Sequence, residues 1–238
     1  MTAGAIALIA RAVLVGAFVQ AVVGLGVGLV TAPLVAVLAP SLMPALPLWF
    51  GLLVSGLSLA GERHHIDWHA ISWTLPARAL GTLPGLWLVL IFSTRQIGVA
   101  VAVMVLVAVL LSWHTVDVPV NRGSMLGAGF TAGISGTATS IAGPPVALLF
   151  QHRRPSEVRA TLAVFFFGGV LLSLTALGVG NALPLASLAV AGVVSPFLLA
   201  GLWVGTRLRG SLPRERFRIG VLVVCAASAV VLLVRSLG

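Results

Sequence analysis

Charged residues are scarce in this chain, and their scarcity excludes several classes of protein. Only 8% of the 238 residues are charged, five residues are acidic, and none is lysine. A chain with 59% hydrophobic residues and a mean hydropathy of +1.15 cannot bury them all in one water-soluble core of this size. Cysteine occurs once, at Cys225, which excludes an intrachain disulfide. The composition therefore indicates a membrane protein.

Ten apolar segments, each bounded by charged residues, proline or glycine, occupy most of the sequence. They span residues 5–23, 25–39, 43–61, 70–92, 96–114, 122–138, 141–151, 157–179, 185–208 and 215–236. At about 20 residues per crossing they leave no room for a soluble catalytic domain, so we expect neither an enzyme nor a cofactor. The segments 25–39 and 141–151 are too short to cross a hydrocarbon core of about 30 Å, which predicts broken or half-length helices.

The two halves of the sequence resemble each other. An offset of 112 residues places Pro33 on Pro145, and a later offset of 120 residues places Gly81 on Gly201. Such spacing is typical of a duplicated unit, here of about five apolar segments.

The arginine distribution indicates that these two units are inverted. The loop at 40–43 has no charge, whereas its counterpart at 152–159 holds three arginines. Short cytoplasmic loops accumulate arginine, and units in parallel orientation would share their charged loops. We therefore predict an all-α polytopic membrane protein with inverted repeats at 1–116 and 117–238, arginine-rich loops in the cytoplasm and both termini outside.

Glycine-rich stretches precede both short segments and supply most of the candidate substrate-binding residues. Inside a membrane, the N–H and C=O groups of non-helical backbone need hydrogen-bond partners, which only surrounding protein or a water-filled cavity can supply. A half-helix N-terminus at such a break directs N–H groups and a positive dipole end at an anion. The alternative is close helix packing through small residues, but matching positions in both halves favour a binding site. These candidates are Gly24, Gly26, Gly28, Thr31, Ser135, Gly136, Thr137, Thr139, Gly143 and Pro144.

The same stretches carry a resemblance to a known family. The second one has Gly-Ile-Ser-Gly at 133–136 and Gly-Pro-Pro-Val-Ala-Leu-Leu at 143–149. This pattern resembles the sulfite exporter TauE/SafE family over nearly the whole chain, although Leu25, Val27 and Ala142 depart from the denser glycine pattern of that family. The resemblance implies secondary transport of sulfite, sulfonates or related carboxylates.

Arg78 is the sharpest single candidate, because it lies about eight residues, or about 12 Å of helix rise, inside the segment 70–92. Its planar guanidinium suits a sulfonate, sulfite or carboxylate, and an arginine inside a membrane needs a partner. The alternative is that Arg78 snorkels to the cytoplasmic interface or donates to backbone carbonyls. The matching stretch of the second repeat offers Ser195, so the predicted site is asymmetric.

Other chemistry has little support. His64, His65 and His69 lie near Glu62 and Asp67, but their spacing matches no zinc motif and is typical of solvated interfacial residues, so no metal site is expected. Serine, histidine and aspartate occur without a nucleophile elbow, which argues against hydrolysis.

The leading hypothesis is a carrier that moves a small anion across the cell membrane by alternating access. A passive anion channel or uniporter stays open, because no acidic residue lies deep in an apolar segment as a proton relay. An intramembrane enzyme or scaffold is a third hypothesis without a nucleophile to support it. The expected partners are the anion and the lipid bilayer, not nucleic acid, and association into a homo-oligomer is left open.

Overall fold

The described part of the chain is helical. A computed structural model describes residues 3–23, 27–61, 65–113, 118–150, 153–208 and 214–237, and in these ranges no residue lies in a β-strand. The described ranges contain ten α-helices: α1 (Ala3–Val23), α2 (Val27–Leu38), α3 (Ala45–Gly61), α4 (Trp68–Ile91), α5 (Thr94–Trp113), α6 (Arg122–Thr139), α7 (Gly143–Phe150), α8 (Pro155–Val179), α9 (Leu185–Leu208) and α10 (Arg214–Leu237). A single 3-10 turn, Pro40–Leu42, separates α2 from α3.

The helix bounds agree with the predicted segments to within about two residues. Six helices, α1, α4, α5, α8, α9 and α10, are long and apolar enough to cross a membrane. The chain is therefore a multi-pass membrane protein. The two short segments form helices of 12 residues (α2) and 8 residues (α7), which at 1.5 Å per residue extend only about 18 and 12 Å.

Polar side chains cap the N-termini of two of the helices. The carboxylate of Asp67 accepts a 2.9 Å hydrogen bond from the N–H of Ala70 at the start of α4. Asn121 accepts one from the N–H of Ser124 at the start of α6, and the Ser124 hydroxyl completes a capping box. Each cap satisfies N–H groups that the first helical turn leaves without a partner.

Glycines allow two pairs of helices to approach very closely. α4 packs on α6, and a methyl group at Gly81 would lie 2.1 Å from the carbonyl oxygen of Phe130. α1 packs on α9, and a methyl group at Gly201 would lie 2.2 Å from the carbonyl oxygen of Leu14. Both seams therefore require glycine, as small-residue packing between membrane helices does generally.

The buried apolar residues form two main clusters. One is built largely from α1, α2, α3, α5, α9 and α10, and the other from α4, α6, α7 and α8. Two successive residues between α6 and α7 belong to different clusters, Ile141 to the first and Ala142 to the second. The second glycine-rich break therefore lies where the two clusters meet.

Candidate functional site

Ser140 organises the break between α6 and α7. It ends α6 in the left-handed conformation (φ 65°, ψ 12°), and its N–H donates to the carbonyl of Gly136 at 3.0 Å. Its hydroxyl donates to the carbonyl of Pro44, just before α3, at 2.7 Å. The break is thus held in place by one contact to the end of α6 and one to the residue that precedes α3.

The two breaks meet in space. A methyl group at Gly28, in the first turn of α2, would lie only 3.0 Å from the carbonyl oxygen of Ser140. Gly24 and Gly26, the other glycines of the first break, lie outside the described residues. The part of the first break that is described therefore packs directly on the second, as expected for parts of one site.

A cavity of about 1360 Å³ adjoins both breaks. Four of the predicted binding residues line it at the breaks, namely Gly28, Gly136, Gly143 and Pro144. Its charged lining residues are Arg78 and, at the N-terminal end of α8, Arg153 and Arg159. The cavity therefore connects the middle of α4 with one end of the helix assembly.

Arg78 is buried in that cavity wall with few partners. It lies about ten residues, or about 15 Å, into α4, and is 1% exposed. One terminal nitrogen, Nη1, donates to the carbonyl of Phe165 at a long 3.4 Å, and Cζ lies 4.6 Å from the centroid of the Phe165 ring. Among the side chains that the structure describes, Nε of Arg78 has no hydrogen-bond partner and no carboxylate pairs with the guanidinium. The guanidinium is therefore enclosed by protein, and the Phe165 carbonyl accepts one long hydrogen bond from it.

Gly169 of α8 makes room for this guanidinium. A methyl group at Gly169 would lie 1.8 Å from Nε and 2.0 Å from Cζ of Arg78, so the arginine occupies space that any other residue at 169 would fill. On α6, a methyl group at Gly136 would lie 3.3 Å from Nη2 of Arg78. Phe165 and Gly169 are four residues apart on one helix face and together form the seat of Arg78.

An ion-pair cluster lies at the arginine-rich end of the cavity. Arg153 contacts Asp67 at 3.4 Å and Glu157 at 2.5 Å, and its side chain is 38% exposed. Asp67 also caps α4, so this cluster joins the beginning of α4 to the beginning of α8. Exposed pairs of this kind contribute at most about 1 kcal/mol to stability. The positive charge of Arg153 is thus largely compensated by its two carboxylate partners.

The sequence matches a family model described as "Sulfite exporter TauE/SafE" over residues 8–232. The chain belongs to the TauE/SafE family. The match includes both breaks, Arg78 and Gly169, and it confirms the resemblance that the glycine-proline pattern indicates. Comparison with curated proteins and with solved structures found no match. Membership in the TauE/SafE family indicates a membrane transporter of sulfite or related anions.

Within this TauE/SafE chain, several predicted hydroxyl-bearing residues lie away from the cavity. The hydroxyls of Thr31, Thr139 and Ser195 donate to carbonyls four residues earlier in their own helices. Thr137 is buried and shares a 2.8 Å hydrogen bond with Ser173, and the buried Ser135 hydroxyl has no hydrogen-bond partner among the described residues. None of these five predicted residues lines the cavity.

The start of α7 offers fewer N–H donors than a half-helix N-terminus ordinarily does. Proline has no N–H, and Pro144 and Pro145 follow Gly143 directly in the first turn of α7. Pro144 therefore contributes apolar wall to the cavity, and Gly143 carries the one backbone N–H among these three residues. At the second break the guanidinium of Arg78 therefore presents more N–H donors than the start of α7 does.

Sequence reasoning missed Gly169 and Phe165. The run Phe-Phe-Phe-Gly-Gly at 165–169 lies in the interior of α8. Glycine in a helix interior costs about 1 kcal/mol relative to alanine. Two adjacent glycines at that position therefore indicate close contact, but the run does not reveal that the contact is Arg78.

Proposed function

We propose that this protein is a secondary transporter that moves a small sulfur-containing or organic anion across the cell membrane by alternating access. In this proposal Arg78 binds the anion, and the two breaks meet at the binding site. The single observation that carries it is the buried guanidinium of Arg78, which has no carboxylate partner among the described side chains and borders a cavity between the breaks. A buried charge of this kind calls for a counterion, and an anionic substrate supplies one.

Helix packing supports the inverted repeat on which alternating access would depend. If 1–116 and 117–238 are repeats, α1 corresponds to α6 and α4 to α9. The closely packed α4–α6 pair then corresponds to the closely packed α9–α1 pair. In both pairs a glycine allows the close contact between the helices. Two other helices pack against their own counterparts in the second repeat: α3 packs on α8, and α5 packs on α10. Related repeats would produce this pattern of partners.

The orientation of this transporter follows from its arginines. In the proposed arrangement Arg153 and Arg159 lie on the cytoplasmic side, and the cavity between the breaks extends to them. Asp67 and Glu157 largely compensate the charge of Arg153, so this arginine indicates the side on which the cavity opens and adds little to the attraction of anions. The structure would then correspond to a state in which the substrate enters from the cytoplasm.

The test compares Arg78→Lys and Arg78→Gln with the wild type in proteoliposomes loaded with a labelled alkanesulfonate or sulfite. Lysine keeps the charge but loses the planar fork, so we expect weakened transport for Arg78→Lys and nearly none for Arg78→Gln. Arg122→Gln is the matched control, because Arg122 also lies over an aromatic ring, that of Trp73 at 5.0 Å, but is not among the cavity residues. Transport by Arg78→Gln at the wild-type rate would refute the anion-binding role.

The same vesicles separate a carrier from a channel. Substrate that accumulates against its own gradient when an ion gradient is imposed requires coupled transport. Flux that only dissipates the substrate gradient, at a rate insensitive to imposed ion gradients, would instead establish the channel or uniporter.

A further inference from the structure

We propose that the cavity takes a monovalent organic anion with an apolar tail, whose headgroup binds at Arg78 and whose tail lies along the wall formed by α8. This inference rests on the proposed function and deepens it, because it names the class of substrate. It follows from the charge, the hydrogen-bond donors and the wall of the cavity.

The cavity interior has one buried positive charge, which suits a ligand with a single negative charge. Arg78 is its buried cation, and among the residues whose side chains the structure describes no other charged residue is buried. Arg159 lies about ten residues from Gly169 along α8, which corresponds to about 15 Å, and Arg153 is paired with Asp67 and Glu157. A dianion at Arg78 would therefore bring an uncompensated charge into a poorly hydrated site, whereas a monoanion would be neutralised.

Four of the five hydroxyls that line the cavity, all except that of the exposed Ser58, donate their proton to a backbone carbonyl. Ser55 donates to the carbonyl of Gly51 and Ser112 to that of Ala108. Two further lining hydroxyls, of Ser140 and Thr206, also donate to backbone carbonyls. A hydroxyl has a single proton to donate, so these four offer an anion little replacement for lost water. A compact headgroup at Arg78 fits this supply of donors better than an inorganic oxyanion, which needs hydrogen bonds on every side.

The wall beside Arg78 is an apolar strip on one face of α8. Leu162, Phe166 and Val170 all line the cavity, and their spacing of four residues places them on the same helix face. The strip extends over about 12 Å of helix rise. Val170 directly follows Gly169, against which the guanidinium lies, so the strip begins beside the proposed headgroup position. Such a wall would stabilise an alkyl or aryl tail that extends from the headgroup toward the arginine-rich end of the cavity.

The test measures the affinity of alkane-1-sulfonates from methanesulfonate to hexanesulfonate for the full chain in lipid nanodiscs. All members carry the same headgroup and charge, so only the tail changes. Burial of one methylene corresponds to about fourfold in affinity, and we expect an increase of about that size for each added carbon. Sulfate and sulfite should bind more weakly than butanesulfonate. An affinity that is flat from methanesulfonate to hexanesulfonate would overturn the inference.

A pair of matched variants places the tail on the strip. Val170→Thr replaces a wall methyl group with a hydroxyl, and Val164→Thr makes the same change on α8 at a residue that does not line the cavity. Val170→Thr should weaken the affinity for hexanesulfonate at least about twofold more than the affinity for methanesulfonate, whereas Val164→Thr should change neither affinity. Equal effects of the two variants on hexanesulfonate would contradict the proposed tail position.

Two further controls separate this inference from the proposed function. Neutral hexanol should not compete with hexanesulfonate for binding. Arg78→Gln should abolish binding of every sulfonate in the series. If hexanol competes as well as hexanesulfonate, partition into lipid explains the chain-length effect and the inference fails. If Arg78→Gln leaves all affinities unchanged, the proposed function fails; if it abolishes binding while chain length has no effect, only the substrate class is wrong.

Discussion

Gly169→Ala is the change that most directly tests the seat of Arg78. The added methyl group would lie 1.8 Å from Nε, 2.0 Å from Cζ and 2.4 Å from Cδ of Arg78. These are the rigid end of the arginine and its last methylene, so a small shift cannot relieve the overlap and the guanidinium must leave its position. The glycine itself lies in the middle of α8, where alanine is an acceptable helix residue.

The expected magnitudes follow from the contacts that change. Displacement of the guanidinium removes its interaction with the Phe165 ring, which is worth about 2 kcal/mol in a desolvated site. Alanine regains about 1 kcal/mol of helix propensity, so the net loss of stability is about 1 kcal/mol. Hydrogen bonds to a charged group contribute about 1.5–3 kcal/mol, so substrate affinity should fall about 10- to 150-fold. Binding is thus affected far more than folding.

The assay measures thermal unfolding and sulfonate affinity on the same purified samples. Gly168→Ala is the matched control, because a methyl group there would meet only the flexible side chain of Leu75, at 3.2 Å. We expect near-wild-type affinity for Gly168→Ala and a large loss for Gly169→Ala. Wild-type affinity in Gly169→Ala, or an equal loss in both variants, would refute the role of Gly169 in seating Arg78.

Two further predictions concern stability and topology. Gly81→Ala places a methyl group 2.1 Å from the Phe130 backbone oxygen and should lower the thermal unfolding temperature by separating α4 from α6, at a cost of about 1–3 kcal/mol, whereas Gly127→Ala, with open space around it, should not. An unchanged unfolding temperature in Gly81→Ala would contradict the tight seam. Ser93→Cys should react with an impermeant thiol reagent in intact cells and Arg154→Cys only after lysis, against little background from the buried Cys225. The reverse labelling pattern would invert the proposed orientation.

The helices and their bounds follow from local features of the sequence. Apolar runs must be helical in a membrane, and charged residues, proline and glycine end them, so α3 is predicted as 43–61 and observed as Ala45–Gly61. The two short helices follow from the same reasoning, because proline and glycine interrupt the apolar runs there. The family also follows from local sequence, since the glycine-proline pattern at 143–149 is contiguous.

The sequence by itself thus determined the membrane-spanning class, the helix positions, the two breaks and the candidate Arg78, because each depends on residues that are neighbours in the chain. Only the tertiary structure decided which side chains face the cavity. Helices such as α8 are apolar on all sides, so no periodic pattern shows which face is buried against which neighbour. Thr31, Thr139 and Ser195 therefore looked equivalent to cavity residues, although their hydroxyls bond within their own helices. Gly169 is 91 positions from Arg78, and only helix packing brings them together.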